Sequence, residues 1–313
     1  MSSFGAGSGT GVLALVVASL LWGTTGTTAS FLPDDVSPLA VGASTMGVGG
    51  LLLFAATARS ATGVLRDPES RRWVLLGAVG VVVYPLAFYA GMDLAGVAVG
   101  NVVALGSGPA FAALLEWLVE RRGLSARWAV STGLAVAGIA LLAVGREVDA
   151  GAGRGGIVTG VVLALLAGLA YALYTYASGR AIRRRGDAAA HPSRAVMGAM
   201  FGAGAVLLLP VLLVTGAPLL QSPQTVGIAA YLAIGPMFVA YLLFGVGVRA
   251  IRSSTVTTIT LLEPVVATVL AVTIVGERLA PVGWAGLGLV LAGLTLLLTA
   301  RRGSAVSPGF GSS

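Results

Sequence analysis

Long apolar runs, separated by short segments rich in arginine, proline and glycine, limit the fold of this chain more than any other feature. About 20 apolar residues cross a bilayer as an α-helix. Ten such runs lie at 11–30, 38–58, 73–92, 95–119, 127–145, 156–178, 194–216, 225–247, 253–275 and 281–300. We therefore predict an all-α polytopic membrane protein with ten transmembrane helices.

The composition excludes several other classes of protein. Of the 313 residues, 57% are hydrophobic and 10% are charged, whereas about 25% of a soluble domain is charged. The chain has no cysteine and a single histidine, His191, which excludes disulfides, thiolate catalysis, histidine-based metal clusters and a Ser-His-Asp triad. It has no Walker motif, so ATP cannot drive it directly. We expect no catalytic residue, no cofactor and no metal site.

The arginines predict the orientation in the membrane. All 19 basic residues are arginine, and the net charge is +7. Because this charge lies in short loops between apolar runs, it favours membrane topology over nucleic-acid binding. With a cytoplasmic N-terminus, 16 arginines lie inside, and only Arg146, Arg154 and Arg278 lie outside. Cytoplasmic loops are enriched in positive residues, so we predict that both termini are cytoplasmic.

The two halves of the chain resemble each other. Residues 133–146 align with 288–301 at an offset of 155, and seven of the 14 positions are identical. The same offset pairs Pro109 with Pro264. Apolar helices can look alike through composition alone, but the ordered series of matching prolines and glycines favours a duplication.

The duplication predicts two five-helix repeats, at 11–145 and 156–300, with disordered tails at 1–10 and 303–313. Five is an odd number, so the second repeat must enter the membrane from the opposite side. Inverted repeats of this kind are typical of secondary transporters, whose substrate site lies between the halves.

Residues 253–298 carry a family resemblance. The features that carry it are Glu263-Pro264, the turn Gly276-Glu277-Arg278-Leu279, and Gly288 and Gly293 in the last run. This segment resembles the closing helix pair of the EamA-type repeat of the drug/metabolite transporter superfamily, and LLWGTTGTTASFLP near the start resembles that family's first helix. The resemblance implies an inner-membrane carrier of ten helices that moves small metabolites, often outward, by alternating access.

Two departures from the family pattern limit what the resemblance implies. The offset of 155 places Arg122 opposite Glu277. The second run has Ser44-Thr45-Met46 in a region where many relatives place an arginine. No role of that arginine can be carried over to this chain, and the resemblance does not fix a substrate.

Glu263 is the acidic residue placed most deeply, about 11 residues into the ninth run. A carboxylate in the membrane interior is costly unless it is neutral, paired or in a water-filled cavity. One hypothesis is a proton-coupling or substrate-amine site, and the alternative is a protonated side chain that joins neighbouring helices.

Glu116 lies near the cytoplasmic end of the fourth run, where an interfacial pair with Arg121 and Arg122 is expected. Glu277, at the turn with Arg278, is expected to cap a helix or to form a structural pair.

Matched prolines and interior aromatic residues complete the candidate pathway for substrate and protons. Pro109 matches Pro264, and Pro85 matches Pro236 at an offset of 151. Paired helix breaks at equal depth indicate a transporter site, although tolerated kinks would give the same pattern. Aromatic rings can line such a cavity or can serve only for packing. The cavity candidates are Trp22, Tyr84, Tyr89, Asn101, Tyr171 and Tyr241.

We therefore predict a secondary transporter of the bacterial cytoplasmic membrane for an amino acid, a related metabolite or a drug. An exporter, with proton coupling as an option, is the favoured form, and a polytopic enzyme or a facilitative channel is the alternative. The expected partners are a small molecule, the lipid bilayer and protons. The motifs Gly96-xxx-Gly100 and Gly198-xxx-Gly202 would serve helix contacts within one chain or in a homodimer.

Overall fold

The regular structure of this chain is helical. The computed structural model describes residues 6–121, 123, 126–145, 154–182, 191–250, 256 and 259–299, and no β-strand occurs among them. The helices are α1 (Ala6–Gly23), α2 (Thr25–Ala29), α3 (Pro38–Arg66), α4 (Pro68–Ala95), α5 (Val97–Glu120), α6 (Ala126–Gly145), α7 (Arg154–Ile182), α8 (Ser193–Thr215), α9 (Pro223–Leu232), α10 (Ala240–Ala250), α11 (Leu262–Leu270) and α12 (Pro281–Thr299). A 3₁₀ turn covers Ala217–Leu220, and π-helical segments cover Ala233–Val239 and Ala271–Val275.

Eight helical stretches of the described residues are long and apolar enough to cross a membrane, and two more, Leu262–Val275 and Pro281–Leu296, are apolar but shorter. The surface of the bundle is apolar as well. Leu213 and Val214 are 83% and 84% exposed, and such side chains face water at a cost but face lipid freely. The chain is therefore a polytopic membrane protein.

Several helices are longer than hydropathy alone predicts. The second run was expected to end at residue 58, yet α3 continues to Arg66, and α4 begins at Pro68 rather than at 73. Hydropathy detects the lipid-facing length only, and arginine is a good helix former that extends helices past the bilayer. The first helix begins at Ala6, inside the expected tail 1–10. The tail 303–313 lies outside the described residues, as do Arg122 and Arg183–Arg185.

Prolines set the start of several helices. Pro38, Pro68 and Pro223 each occupy the first turn, where the missing N–H is not needed and the fixed φ favours the helix. Ser37 caps α3 by accepting a hydrogen bond from the Ala40 amide at 3.2 Å. These local signals place the helix boundaries that hydropathy leaves open.

Small residues allow the helices to pack closely. A methyl group at Gly80 of α4 would lie 2.7 Å from the Ala170 carbonyl oxygen of α7, and one at Gly50 of α3 would lie 2.7 Å from the Phe201 carbonyl oxygen of α8. In lipid, where no hydrophobic force drives helices together, close backbone approach of this kind supplies the packing energy. The pairs α4–α7, α3–α8 and α6–α12 form the largest helix contacts.

The glycine motifs are used inside the chain. Gly198 and Gly202 of α8 face Thr57 and Phe54 of α3, and Gly100 of α5 faces Met92 of α4. Both motifs predicted from the sequence therefore serve contacts within one chain.

Candidate functional site

Three helical stretches lose their regular α-helical form close to one another. The first stretch is interrupted at Thr24, between α1 and α2, and α11 begins only after Leu261. The π-helical segment Ala233–Val239 contains Pro236. Pro236 accepts a hydrogen bond of 2.9 Å from the indole N–H of Trp22, which joins the first interruption to the third. Non-helical backbone at membrane depth occurs where it lines a cavity or is buried in protein.

The first and second interruptions also adjoin. A methyl group at Gly23 would lie 3.2 Å from the carbonyl oxygen of Glu263 and 2.6 Å from a methyl group of Val266. Only glycine permits this approach of α1 to α11. The backbone of Glu263 therefore lies directly beside the end of α1.

A continuous network of aromatic rings joins five helices at this depth. The ring centroids of Trp22 and Tyr241 are 5.4 Å apart, and those of Tyr84 and Tyr171 are 5.9 Å apart. Tyr174 and Phe201 connect these two pairs, with centroid distances of 5.2 Å to Tyr171, 5.6 Å between themselves and 5.1 Å to Tyr241. The Tyr174 and Tyr241 hydroxyls are 3.3 Å apart.

The network has a buried side and an accessible side. Phe201 and Tyr174 are 0% and 3% exposed. Trp22, Tyr84, Tyr171 and Tyr241 are only half-buried, although their rings face other helices. Tyr84 and Tyr171 lie near the middle of the 28-residue α4 and the 29-residue α7. Four rings of the network therefore keep part of their surface accessible within the helical bundle.

Glu263 lies in the same region of the bundle as these rings. Its backbone adjoins Gly23, the neighbour of Trp22, and its carboxyl group lies within electrostatic range of the Tyr84, Tyr171 and Tyr241 hydroxyls. The side chain is half-buried, and no hydrogen bond or ion pair to it occurs among the described residues. The alternative role, a side chain that joins neighbouring helices by hydrogen bonding, has no support in this part of the chain.

The other predicted site residues lie at the edge of the aromatic network or in contacts between helices. Tyr89 is 5% exposed; its hydroxyl lies 3.4 Å from that of Thr45, in the contact between α3 and α4, and its ring centroid lies 5.5 Å from that of Phe88. Asn101 is 1% exposed in the second turn of α5, and neither amide atom has a partner among the described residues. Pro109 is half-buried, beside Gly108, where a methyl group would lie 3.0 Å from the Tyr171 ring. Pro264 is buried in the first turn of α11.

The matched prolines do not produce matched breaks. The helix α4 continues through Pro85 and α5 continues through Pro109, whereas irregular backbone surrounds Pro236 and precedes Pro264. A proline inside a helix removes one hydrogen bond, and neighbouring helices can compensate for it. Only the prolines of the second half coincide with interruptions, which differs from the expectation of paired breaks.

Charged residues outside the group form local structural pairs. Glu277 accepts hydrogen bonds from the amides of Val97 and Ala98, the latter at 3.0 Å, and so caps α5 as predicted. Glu120 of α5 accepts hydrogen bonds from the Tyr176 hydroxyl at 3.1 Å and from Arg180 at 3.3 Å. The Glu277 contacts join a loop to the start of α5, and the Glu120 contacts join the ends of α5 and α7.

Sequence reasoning missed four members of the aromatic network: Phe88, Tyr174, Phe201 and Phe244, whose ring centroid lies 5.6 Å from that of Trp22. Tyr174 lies one turn after Tyr171, and Phe88 lies one turn after Tyr84, where their ring centroids are 5.3 Å apart. Helical spacing from the two predicted tyrosines would have found both. Phe201 has no such signal, because its position depends on how α8 packs.

Known proteins with similar sequences identify the family. The sequence model of the EamA-like transporter family matches residues 9–144 and 158–299. The chain belongs to the EamA-like transporter family. It is 32% identical over 297 residues to a protein of Bacillus subtilis (strain 168) described as uncharacterized transporter YwfM, a match that covers 93% of this chain and 94% of that protein.

The fold of this EamA-like protein has a solved counterpart. One crystal structure, described only as that of a protein, superposes with a TM-score of 0.62, at 23% identity, and covers 95% of this chain and 99% of that chain. Family membership and the relative both indicate a membrane transporter rather than an enzyme. A transporter with membrane-spanning helices acts on a small molecule within a lipid bilayer.

Proposed function

We propose that this EamA-like protein is a secondary transporter that moves a small metabolite or drug across the bacterial cytoplasmic membrane by alternating access. The observation that carries the proposal is the convergence of Glu263 and four half-buried aromatic rings where three helical stretches are interrupted. Discontinuous helices at mid-membrane depth are where transporters bind substrates and coupling ions.

Two inverted five-helix repeats, with ten spans and both termini in the cytoplasm, fit the packing of α6 against α12. A methyl group at Gly138 would lie 2.6 Å from the Gly286 carbonyl oxygen, and one at Gly293 would lie 2.7 Å from the Ser131 carbonyl oxygen. The offset of 155 pairs Gly138 with Gly293 and Ser131 with Gly286. The two contacts are therefore equivalent, with the roles of the two helices exchanged. A two-fold axis between the two helices produces this exchange, and the two family matches support the same division.

A second pair of contacts supports the same symmetry. The Ser19 hydroxyl lies 3.4 Å from the Ile259 carbonyl oxygen, and a methyl group at Gly168 would lie 2.7 Å from the Ala104 carbonyl oxygen. Offsets of 149 and 155 relate the two contacts, as expected when α1 packs on the ninth span in the way that α7 packs on α5. Two halves of this kind can exchange conformations, which is the basis of alternating access.

Glu263 is the proposed ionisable centre, and export coupled to proton entry is the proposed direction. A carboxylate at this depth can be neutralised by a proton or by a bound solute. If only one of the two binds at a time, the flow of protons inward drives the solute outward. This exchange needs no cofactor and no partner protein.

The test is uptake of a labelled panel of amino acids, metabolites and drugs by proteoliposomes, with and without an imposed pH gradient. We expect saturable uptake that is accelerated when the vesicle interior is the more acidic side. The interior then corresponds to the exterior of the cell, so uptake into the vesicle corresponds to export. Counterflow of labelled against unlabelled solute separates a carrier from a channel, and a chemically altered product would indicate an enzyme. Uptake that is linear in concentration, with no counterflow, would contradict the carrier proposal.

A further inference from the structure

The group around Glu263 has the chemistry of a cation site. Among the described residues, Glu263 is the charged side chain placed with the mid-membrane rings, whereas the arginines and the remaining acids lie toward the ends of their helices. Its backbone adjoins Gly23, next to Trp22, its carboxyl group lies within electrostatic range of the Tyr84, Tyr171 and Tyr241 hydroxyls, and it has no basic partner among the described residues.

The aromatic rings add to this preference. The face of an aromatic ring attracts a cation, most strongly in tryptophan and tyrosine and when water is excluded. Trp22 and Tyr241 lie on one side, on α1 and α10, and Tyr84 and Tyr171 lie on the other, on α4 and α7. The indole N–H of Trp22 is already bound to Pro236, so this residue offers a ring face rather than a hydrogen bond.

The chain itself shows the same chemistry elsewhere. The Arg180 guanidinium lies 4.9 Å from the centroid of the Trp73 ring and 6.0 Å from that of Tyr176, with Glu120 as its carboxylate partner. At that site a carboxylate and aromatic rings surround a cation. The group around Glu263 has the same components without the arginine.

We propose that the solute carried by this protein is an organic cation with an apolar or aromatic body, held by Glu263 and by the faces of Trp22, Tyr84, Tyr171 and Tyr241. That this cation is transported rests on the proposed function, but its binding can be measured without transport. An anion would meet a carboxylate with no basic residue beside it in the described structure. A zwitterion would leave its own carboxylate without a charged partner.

The experiment measures binding of three ligands of similar shape to the purified full-length protein in detergent by isothermal titration calorimetry. The ligands are 2-phenylethyltrimethylammonium, the neutral 2-phenylethanol and the anionic 3-phenylpropionate. We expect the cation to bind at least about tenfold more tightly than the alcohol, a factor that corresponds to about 1.4 kcal/mol, and the anion not to bind. Equal binding of cation and alcohol, or tighter binding of the anion, would overturn the inference, and this comparison needs no variant.

Variants then assign the cation preference to residues. Glu263→Gln should remove the preference for the cation over the alcohol, and Glu263→Asp should retain part of it. Tyr241→Leu should weaken cation binding more than Tyr241→Phe, because only the second keeps the ring. Trp117→Leu, at a side chain that is 43% exposed, is the control for Trp22→Leu and should leave binding unchanged. A cation preference that survives both Glu263→Gln and Trp22→Leu would place the cation elsewhere.

Transport of the same ligands distinguishes the two proposals. Tight, Glu263-dependent binding of the cation without flux in proteoliposomes would support the cation site and contradict the transporter proposal. Saturable flux of an anion or a neutral solute, with no cation binding, would support the transporter proposal and overturn the cation site.

Discussion

At the scale of the residue, Glu263 and Asn101 are two polar side chains inside the bundle whose surroundings do not explain them as structural pairs. Glu263 has no hydrogen bond or ion pair among the described residues, and the Asn101 amide is buried without one. The offset of 155 places Gly108 opposite Glu263 and Val256 opposite Asn101. Each polar residue therefore breaks the equivalence of the two halves, and each breaks it in only one half.

Replacing Glu263 by glutamine should separate transport from proton coupling. The amide keeps the shape and hydrogen-bonding capacity of the side chain but cannot exchange a proton, so we expect a folded protein whose transport no longer responds to a pH gradient. Transport by proteoliposomes at imposed gradients measures this. Glu116→Gln is the matched control, because Glu116 also lies in an apolar helix, and it should respond as the wild type does. A gradient response that persists in Glu263→Gln would remove Glu263 from the coupling mechanism.

Replacing Asn101 by valine, the residue at the equivalent position of the second half, should stabilise the protein. A buried amide without a partner costs about 1–3 kcal/mol, so the melting temperature in detergent should rise. Val256→Asn, at a side chain that is 4% exposed, is the converse substitution and should lower it. A fall in melting temperature for Asn101→Val would show that the amide has a partner, such as a bound water molecule or the solute.

At the scale of the element, helix length and helix continuity have different origins in the sequence. The apolar runs predicted every long helix, because burial in lipid requires them. The interruptions at Thr24 and Leu261 could not be predicted in the same way, since proline is present in helices that stay regular and in those that do not. The difference lies in the neighbours: α4 and α5 pack closely on α7, which supports their backbone.

The crossing of α6 and α12 gives a direct test of close packing. A methyl group at Gly286 would lie 2.6 Å from the Gly138 carbonyl oxygen, whereas one at Gly288, in the same helix, would meet nothing within 4 Å. Gly286→Ala should therefore lower the melting temperature, because the helices must separate. Gly288→Ala should leave it unchanged or raise it slightly, since alanine is favoured over glycine in a helix by about 1 kcal/mol. Equal effects of the two substitutions would contradict the packing of α6 on α12.

Part of the candidate site followed from the sequence, and part did not. Trp22, Tyr84, Tyr171, Tyr241 and Glu263 were predicted because aromatic and acidic residues are conspicuous in apolar runs, and the structure brings them together. Tyr89 carries the same signal, yet it is buried against α3 and is joined to the network only through Phe88. The direction in which a side chain points depends on helix rotation within the bundle, which an almost uniformly apolar helix does not encode.

At the scale of the whole molecule, the proposed topology has an experimental test that the chain makes simple. It has no cysteine, so a single introduced cysteine reports its own position. With both termini in the cytoplasm, Asp35→Cys and Gln221→Cys should react with a membrane-impermeant maleimide added to intact cells. Gly63→Cys and Gly123→Cys should react only after the membrane is permeabilised. Labelling of all four in intact cells, or the reverse pattern, would contradict the proposed orientation.

The family sequence model matches the chain twice, over 9–144 and 158–299, as the proposed duplication predicts. The contacts of α6 with α12 follow the symmetry that an inverted duplication requires. The irregular backbone does not follow it, because α1–α2, the π-helical segment at Pro236 and α11 are interrupted whereas α7, α4 and α5 are continuous. The difference between the halves therefore lies in helix continuity rather than in helix order.

The adjoining irregular segments at Thr24 and Leu261 also predict where the bundle opens locally. The Thr24 amide shares its hydrogen bond between the Leu20 and Leu21 carbonyl oxygens, at 3.1 and 3.3 Å, and we expect such a segment to open at a lower cost than a regular packed helix. A solute bound between Trp22 and Glu263 would contact both irregular segments and would restrict their local opening. Hydrogen–deuterium exchange would then slow at these two points of the sequence, about 240 residues apart, when one molecule binds.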